Sequence, residues 1–312
     1  MIDFQNKKKF EMTLLRSGAV MCLFLILTGC GNKAPEKSAV YNEQDTAVAK
    51  EDQYDQAISD YDKAIETNPN DAAAYYNRGR AYNAKGRYDQ AISDYTKAIE
   101  INPASPEFYT SRGNAYLSKR QYDQAISDHN KVIEITPNNA HAYINRGNVY
   151  TSKGQYDQAI SDYNRALEIN PGFARAYNNR GAAYRAKGQY DQAISDYSKA
   201  IEIDPRYAIA YNNRGWTYFI KGEHDLAISD YDKAIEINPG YAGAYNNRAA
   251  AYGTKGQYDQ TISDYTKSIE INPRQAGAYN NRAVAYYRKA DYDKAWQDVH
   301  KAQSLGLQVP PA

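Results

Sequence analysis

ARAYNNRGAAYRAKGQYDQAISDYSKAIEIDPRY, residues 174–207, decides the fold, because close copies of it fill most of the chain. Prolines 69, 103, 137, 171, 205, 239 and 273 stand 34 residues apart. With each proline at position 32, repeats begin at Ala72, Pro106, Ala140, Ala174, Ala208, Ala242 and Ala276, after a partial one from Ser38. Two helices can be read inside the stretch. Tyr177, Gly181 and Tyr184 follow i, i+4, i+7 spacing, as do Ala193, Tyr197 and Ala200, so each trio lies on one helical face. Gly188 breaks the chain between them. Pro205 ends the second helix, because its ring blocks the helical path and it lacks an amide donor. Tyrosine occurs 32 times against 6 phenylalanines and 2 tryptophans. An ordinary core spreads its large positions over several residue types, so the bias marks one unit copied many times.

This helix pair of 34 residues resembles the tetratricopeptide repeat. The resemblance covers residues 51–309, with one partial and seven full repeats. It implies an all-α fold: a right-handed superhelical solenoid of antiparallel helix pairs, each with a helix A and a helix B. Every pair leaves apolar surface that only its neighbour covers, so the ends need capping. In the partial repeat, Asp45 replaces the glycine and Val48 the tyrosine of helix A. In the last repeat Gln303 stands where Ile269 stands one repeat earlier, which suits a terminal face. Residues 310–312 are a tail.

Residues 1–29 read as a signal peptide. Lys7, Lys8, Lys9 and Arg16 precede the uncharged, mostly apolar run Ser17–Leu27; Met12 is a second candidate start. The run is short of the roughly 20 residues a spanning helix needs. Leu27-Thr28-Gly29-Cys30 resembles the lipobox of bacterial lipoproteins. That implies a lipid-modified Cys30 at the mature N-terminus and a place in the cell envelope, on the outer membrane facing the periplasm if the cell is Gram-negative. A free cysteine after a plain signal or a membrane anchor is the alternative. Residues 30–50, polar and containing Pro35, read as the lipidated cysteine and a tether.

Lys and Arg total 38 against 37 Asp and Glu, which gives no basic footprint for nucleic acid. His129 and His224 replace packing tyrosines, and His141 and His300 have no partner at ligand spacing, so no metal site follows. There is no phosphate loop, serine elbow or dinucleotide fingerprint. The reading is no enzyme and no cofactor. Position 7 is arginine in all seven full repeats: Arg78, Arg112, Arg146, Arg180, Arg214, Arg248 and Arg282. This is either a charged stripe for an acidic ligand or, as we read it, pairing with helix B acids such as Asp196.

In the tetratricopeptide family the concave face comes mainly from helix A. The corresponding residues here include Asn145, Asn178, Asn179, Asn212, Asn213, Asn246 and Asn247. Their resemblance to an asparagine ladder implies a grip on an extended peptide, since an amide both donates to and accepts from a peptide backbone. Trp216 and Phe219, with Ile209 and Ile220, add an apolar cluster of the kind that anchors partners. The expected function is a lipid-anchored scaffold or adaptor that holds a partner protein or extended peptide. A self-assembling structural envelope protein and a carbohydrate or cell-wall binding protein are the alternatives.

Overall fold

The computed structural model describes residues 43–307, which form two compact units, 43–213 and 214–307. Fifteen helices and no strand occur among the described residues. The A helices are Ala72–Ala84, Pro106–Ser118, Ala140–Lys153, Ala174–Ala186, Ala208–Ile220, Ala242–Thr254 and Ala276–Arg288. Their B partners are Tyr88–Ile101, Tyr122–Ile135, Tyr156–Ile169, Tyr190–Ile203, His224–Ile237, Tyr258–Ile271 and Tyr292–Ser304. None of these helices is long and apolar enough to cross a membrane.

Within a pair, small residues set the approach. Ala193, Tyr197 and Ala200 are fully buried. A Cβ added to Gly181 would come within 2.9 Å of Tyr197 Cε1, so the glycine lets the ring lie directly on helix A. In the last two repeats alanine serves at the same position, as Ala249 and Ala283, in the clusters of Tyr265 and Val299. The A-to-B turn needs a left-handed residue. Gly188 supplies it at φ +75°, but Arg120 and Ala290 adopt φ 59° and 61° at the same place, which costs about 1 kcal/mol for a side chain with a Cβ. Helix B stops as the sequence implies. Asp204 turns extended before Pro205 and its Oδ1 accepts from the Arg206 amide at 3.0 Å.

Charged pairs tie successive helices together. Lys85 reaches Asp55, and Lys153 reaches Asp123, at 2.6 Å each across one repeat. Lys187 makes the same contact with Asp157.

The two ends differ from the sequence reading. Helix Glu43–Thr67 begins inside the stretch read as tether and continues without a break into the first helix B. No glycine or proline interrupts it, and Asp52 stands where Gly188 breaks the later copy. At the other end Gln303 is exposed as expected, but Leu305 and Leu307 do the capping. Gly306 turns at φ +92° and the Leu307 amide donates to Ala302 O at 3.1 Å. That folds both leucines onto the cluster containing Tyr265, Ile269, Tyr279 and Ala302. Cys30 and the 310–312 tail lie outside the described residues.

Candidate functional site

The arginine stripe resolves first. Arg180 donates through Nε and Nη2 to the two oxygens of Asp196, at 2.8 and 2.6 Å. Its Nη1 donates to Asn164 Oδ1 of the preceding helix B at 2.6 Å. Arg78, Arg146, Arg248 and Arg282 likewise each grip the aspartate of their own helix B and a polar residue of the preceding one. Two parallel N–H···O bonds on one carboxylate are the strongest form of this pairing. The Asp128 bond holds the Arg112 guanidinium above its ordinary range, against the opposing effect of burial. Flanking rings complete each clasp, with Arg180 at 5.3 Å from the Tyr177 ring and 6.0 Å from that of Tyr184. The stripe is architecture: it joins helix A to two B helices.

His129 is also a packing residue. It is fully buried beside Gly113, with both ring nitrogens unpartnered. Burial, and next the Arg146 charge, push its pKa down to about 4. Its counterpart Tyr163 instead places its hydroxyl on Asn148 at 2.8 Å and against Thr151 at 3.1 Å.

The asparagines divide into two sets. Asn178, Asn212 and Asn213 are only 3–5% exposed. Asn213 Nδ2 donates to Asn178 Oδ1 at 2.9 Å, Asn178 Nδ2 to Asn179 Oδ1 at 3.2 Å, and Asn179 Nδ2 to Asn148 Oδ1 at 2.9 Å. This chain of amides runs across repeats, so these side chains brace the A helices rather than stand open. Asn148, the acceptor that gathers both Asn179 and Tyr163, was not singled out from the sequence; its place one turn beyond Asn145 was the available signal. Asn145, Asn179, Asn246 and Asn247 are half-buried, at the edge of the helix A surface. Asn246 keeps a buried Oδ1 with no partner. In the same unit Trp216 and Phe219 are half-buried and stacked, with ring centroids 5.3 Å apart and planes at 16°. Ile220 beside them is 41% exposed.

One feature escaped the sequence reading. An open depression of about 570 Å³ lies where two inter-repeat loops meet, lined by Pro137, His141, Ile169 and Phe173 among others. The His141 and Phe173 rings meet edge-on there at 4.7 Å. No group of three or more His, Cys, Asp or Glu able to hold a metal ion occurs among the described residues.

Comparison with known proteins places these features. Family models described as TPR repeat and tetratricopeptide repeat match residues 79–120, 113–151 and 147–185, then 174–207, 208–241 and 242–275, and also 60–93 and 264–297. Together they run from 60 to 297. No curated protein matches the sequence. Among solved structures, yeast Tom70 aligns with a TM-score of 0.65 at 18% identity, over 83% of this chain and 56% of that one. A tetratricopeptide repeat protein from Parabacteroides merdae aligns at 0.59 and 22% identity, over 80% of this chain and 94% of its own. YrrB, described as a TPR protein with an unusual peptide-binding site, is 30% identical over 59% of this chain and 95% of its own, at a TM-score of 0.46. Arrays of this kind bind peptides or proteins, which supports a role as a protein–protein interaction scaffold. The chain belongs to the tetratricopeptide repeat family.

Proposed function

We propose that this scaffold is a lipid-anchored adaptor of a bacterial cell envelope, tethered through Cys30 and holding an extended peptide or partner protein on its helix A surfaces. The lipobox-like Leu27-Thr28-Gly29-Cys30 supports the anchor. One observation carries the binding mode. The half-buried Asn246 and Asn247 lie one repeat beyond the stacked Trp216 and Phe219, with Ile220 exposed beside the rings. Amides would hold a peptide backbone while the rings take up an apolar side chain. Asn145 offers an amide edge in the other unit, where Asn178, Asn179 and Asn213 are bonded into the inter-repeat chain and Asn212 is buried.

The test is affinity purification from the native envelope, comparing the wild type with a Trp216→Ala, Asn247→Ala variant of equal thermal stability. A partner captured by the wild type and lost from the variant supports the reading; identical capture by both removes it. Metabolic labelling with a palmitate analogue tests the anchor separately. Label is expected on the wild type and absent from Cys30→Ala.

A further inference from the structure

Among the described residues, helix Glu43–Thr67 is a helix B with no helix A before it, and it shows which surface such a partner would cover. Ala57, Tyr61 and Ala64 occupy the positions of Ala193, Tyr197 and Ala200. The later trio is fully buried, whereas the earlier one is only half-buried. Asp60 occupies the position of Asp196. In the seven full repeats this aspartate side chain is 6–8% exposed and held by two bonds from an arginine. The Asp60 side chain is 60% exposed, with Gln56 Nε2 at 2.9 Å and Lys63 at 3.9 Å as its contacts. A tyrosine, two alanines and a carboxylate thus stand ready on one helical face, without the arginine that completes the set elsewhere.

The same clasp, repeated seven times, specifies what fits. Each helix A carries Tyr-x-x-Arg-(Gly or Ala)-x-x-Tyr, as in Tyr177, Arg180, Gly181 and Tyr184. The arginine forks onto the aspartate, the small residue receives the ring, and the two tyrosines flank the guanidinium. The chain's own upstream segment does not qualify. It offers Tyr41, Gln44, Asp45 and Val48 in that pattern, so a carboxylate replaces the small residue beside Asp60. Residues 1–42 contain no other tyrosine. A second copy does not qualify either, because each of its seven helices with the pattern already clasps its own helix B.

We propose that the half-buried face of Ala57, Tyr61 and Ala64, with the exposed Asp60, docks a helix from another protein, one bearing an arginine followed by a glycine or alanine between flanking aromatics. The bound helix would complete the partial repeat, as an amphipathic helix completes an apolar groove, with a charge-assisted fork setting its register. This surface is separate from the helix A faces assigned above, so either proposal stands if the other fails.

The probe is a labelled synthetic peptide with the sequence of residues 174–187, ARAYNNRGAAYRAK, titrated by fluorescence anisotropy into the full chain. Saturable binding is expected, weakened at least about tenfold by Asp60→Asn in the protein, a loss of about 1.4 kcal/mol. Replacing the seventh residue of the peptide, the arginine that corresponds to Arg180, by glutamine should have the same effect. Because Asp60 is exposed, Asp60→Asn should retain the wild-type circular dichroism and melting curve. No binding, or binding indifferent to both changes, overturns the proposal. So does a concentration-dependent doubling of mass that Asp60→Asn abolishes, since the occupant would then be a second copy.

Discussion

Helix Glu43–Thr67 and helix Tyr190–Ile203 carry nearly the same sequence in their shared portion, YDQAISDYDKAIE against YDQAISDYSKAIE, yet they sit in different surroundings. The later helix has a partner, and its Tyr197 and Asp196 are sealed by Gly181 and Arg180. The earlier helix has none among the described residues, and Asp60 is exposed and Tyr61 only half-buried. The comparison separates what a helix B contributes alone from what the pair contributes. Burial and the arginine fork both belong to the pair.

Four experiments sharpen or break that comparison, all readable by urea or thermal denaturation. Truncating the sealed ring, Tyr197→Ala, should cost about 4 kcal/mol, as large aromatic-to-alanine changes in cores do. Tyr61→Ala should cost under about 1 kcal/mol, in the range of surface substitutions. Equal losses would mean that the two rings are equally packed. Next comes the fork. Arg180→Leu strands Asp196 in a buried site and should cost about 3 kcal/mol, while Asp60→Asn should leave the melting curve unchanged.

The third concerns His129, which holds the tyrosine position of its pair. Its folded pKa of about 4 lies below the unfolded value of about 6.5. On acidification the unfolded chain therefore takes up the proton first. The stability contribution is complete above pH 6.5 and is lost as the pH falls toward 4, by about 3 kcal/mol over the interval. His129→Tyr should remove this acid-dependent loss, and an unchanged pH profile would show that the ring is not sealed. The smallest effect is at the turn. Arg120→Gly should stabilise by about 1 kcal/mol, because glycine adopts the left-handed conformation without strain.

The period and the small–large packing rule were legible because they depend only on spacing. The arginine fork was legible as a pairing with Asp196, since a helical hairpin brings residues 16 apart in sequence together. Its third bond, to Asn164, was not, because it crosses into the preceding repeat. The burial of Asn178 and Asn212 was hidden for a similar reason. Adjacent helical positions differ by about 100°, so Asn178 turns inward while its neighbour Asn179 stays half-buried, and both offer the same amide to a sequence reader. The upstream part of the first helix was not legible because the polar stretch up to residue 50 lacks the periodicity of the repeat and reads as tether.

The most direct test of the account is to supply the missing partner in the same chain. Residues 38–53 would be replaced by the sequence of residues 174–189, ARAYNNRGAAYRAKGQ, which restores the arginine, the small residue and the turn glycine ahead of Tyr54. The account predicts a new helix A folded back on the first helix B, with Asp60 forked by the introduced arginine and Tyr61 as buried as Tyr197. The melting temperature should rise by several degrees. A first helix that stays straight, with Tyr61 still accessible and the melting temperature unchanged, would contradict the claim that it is a helix B lacking only its partner.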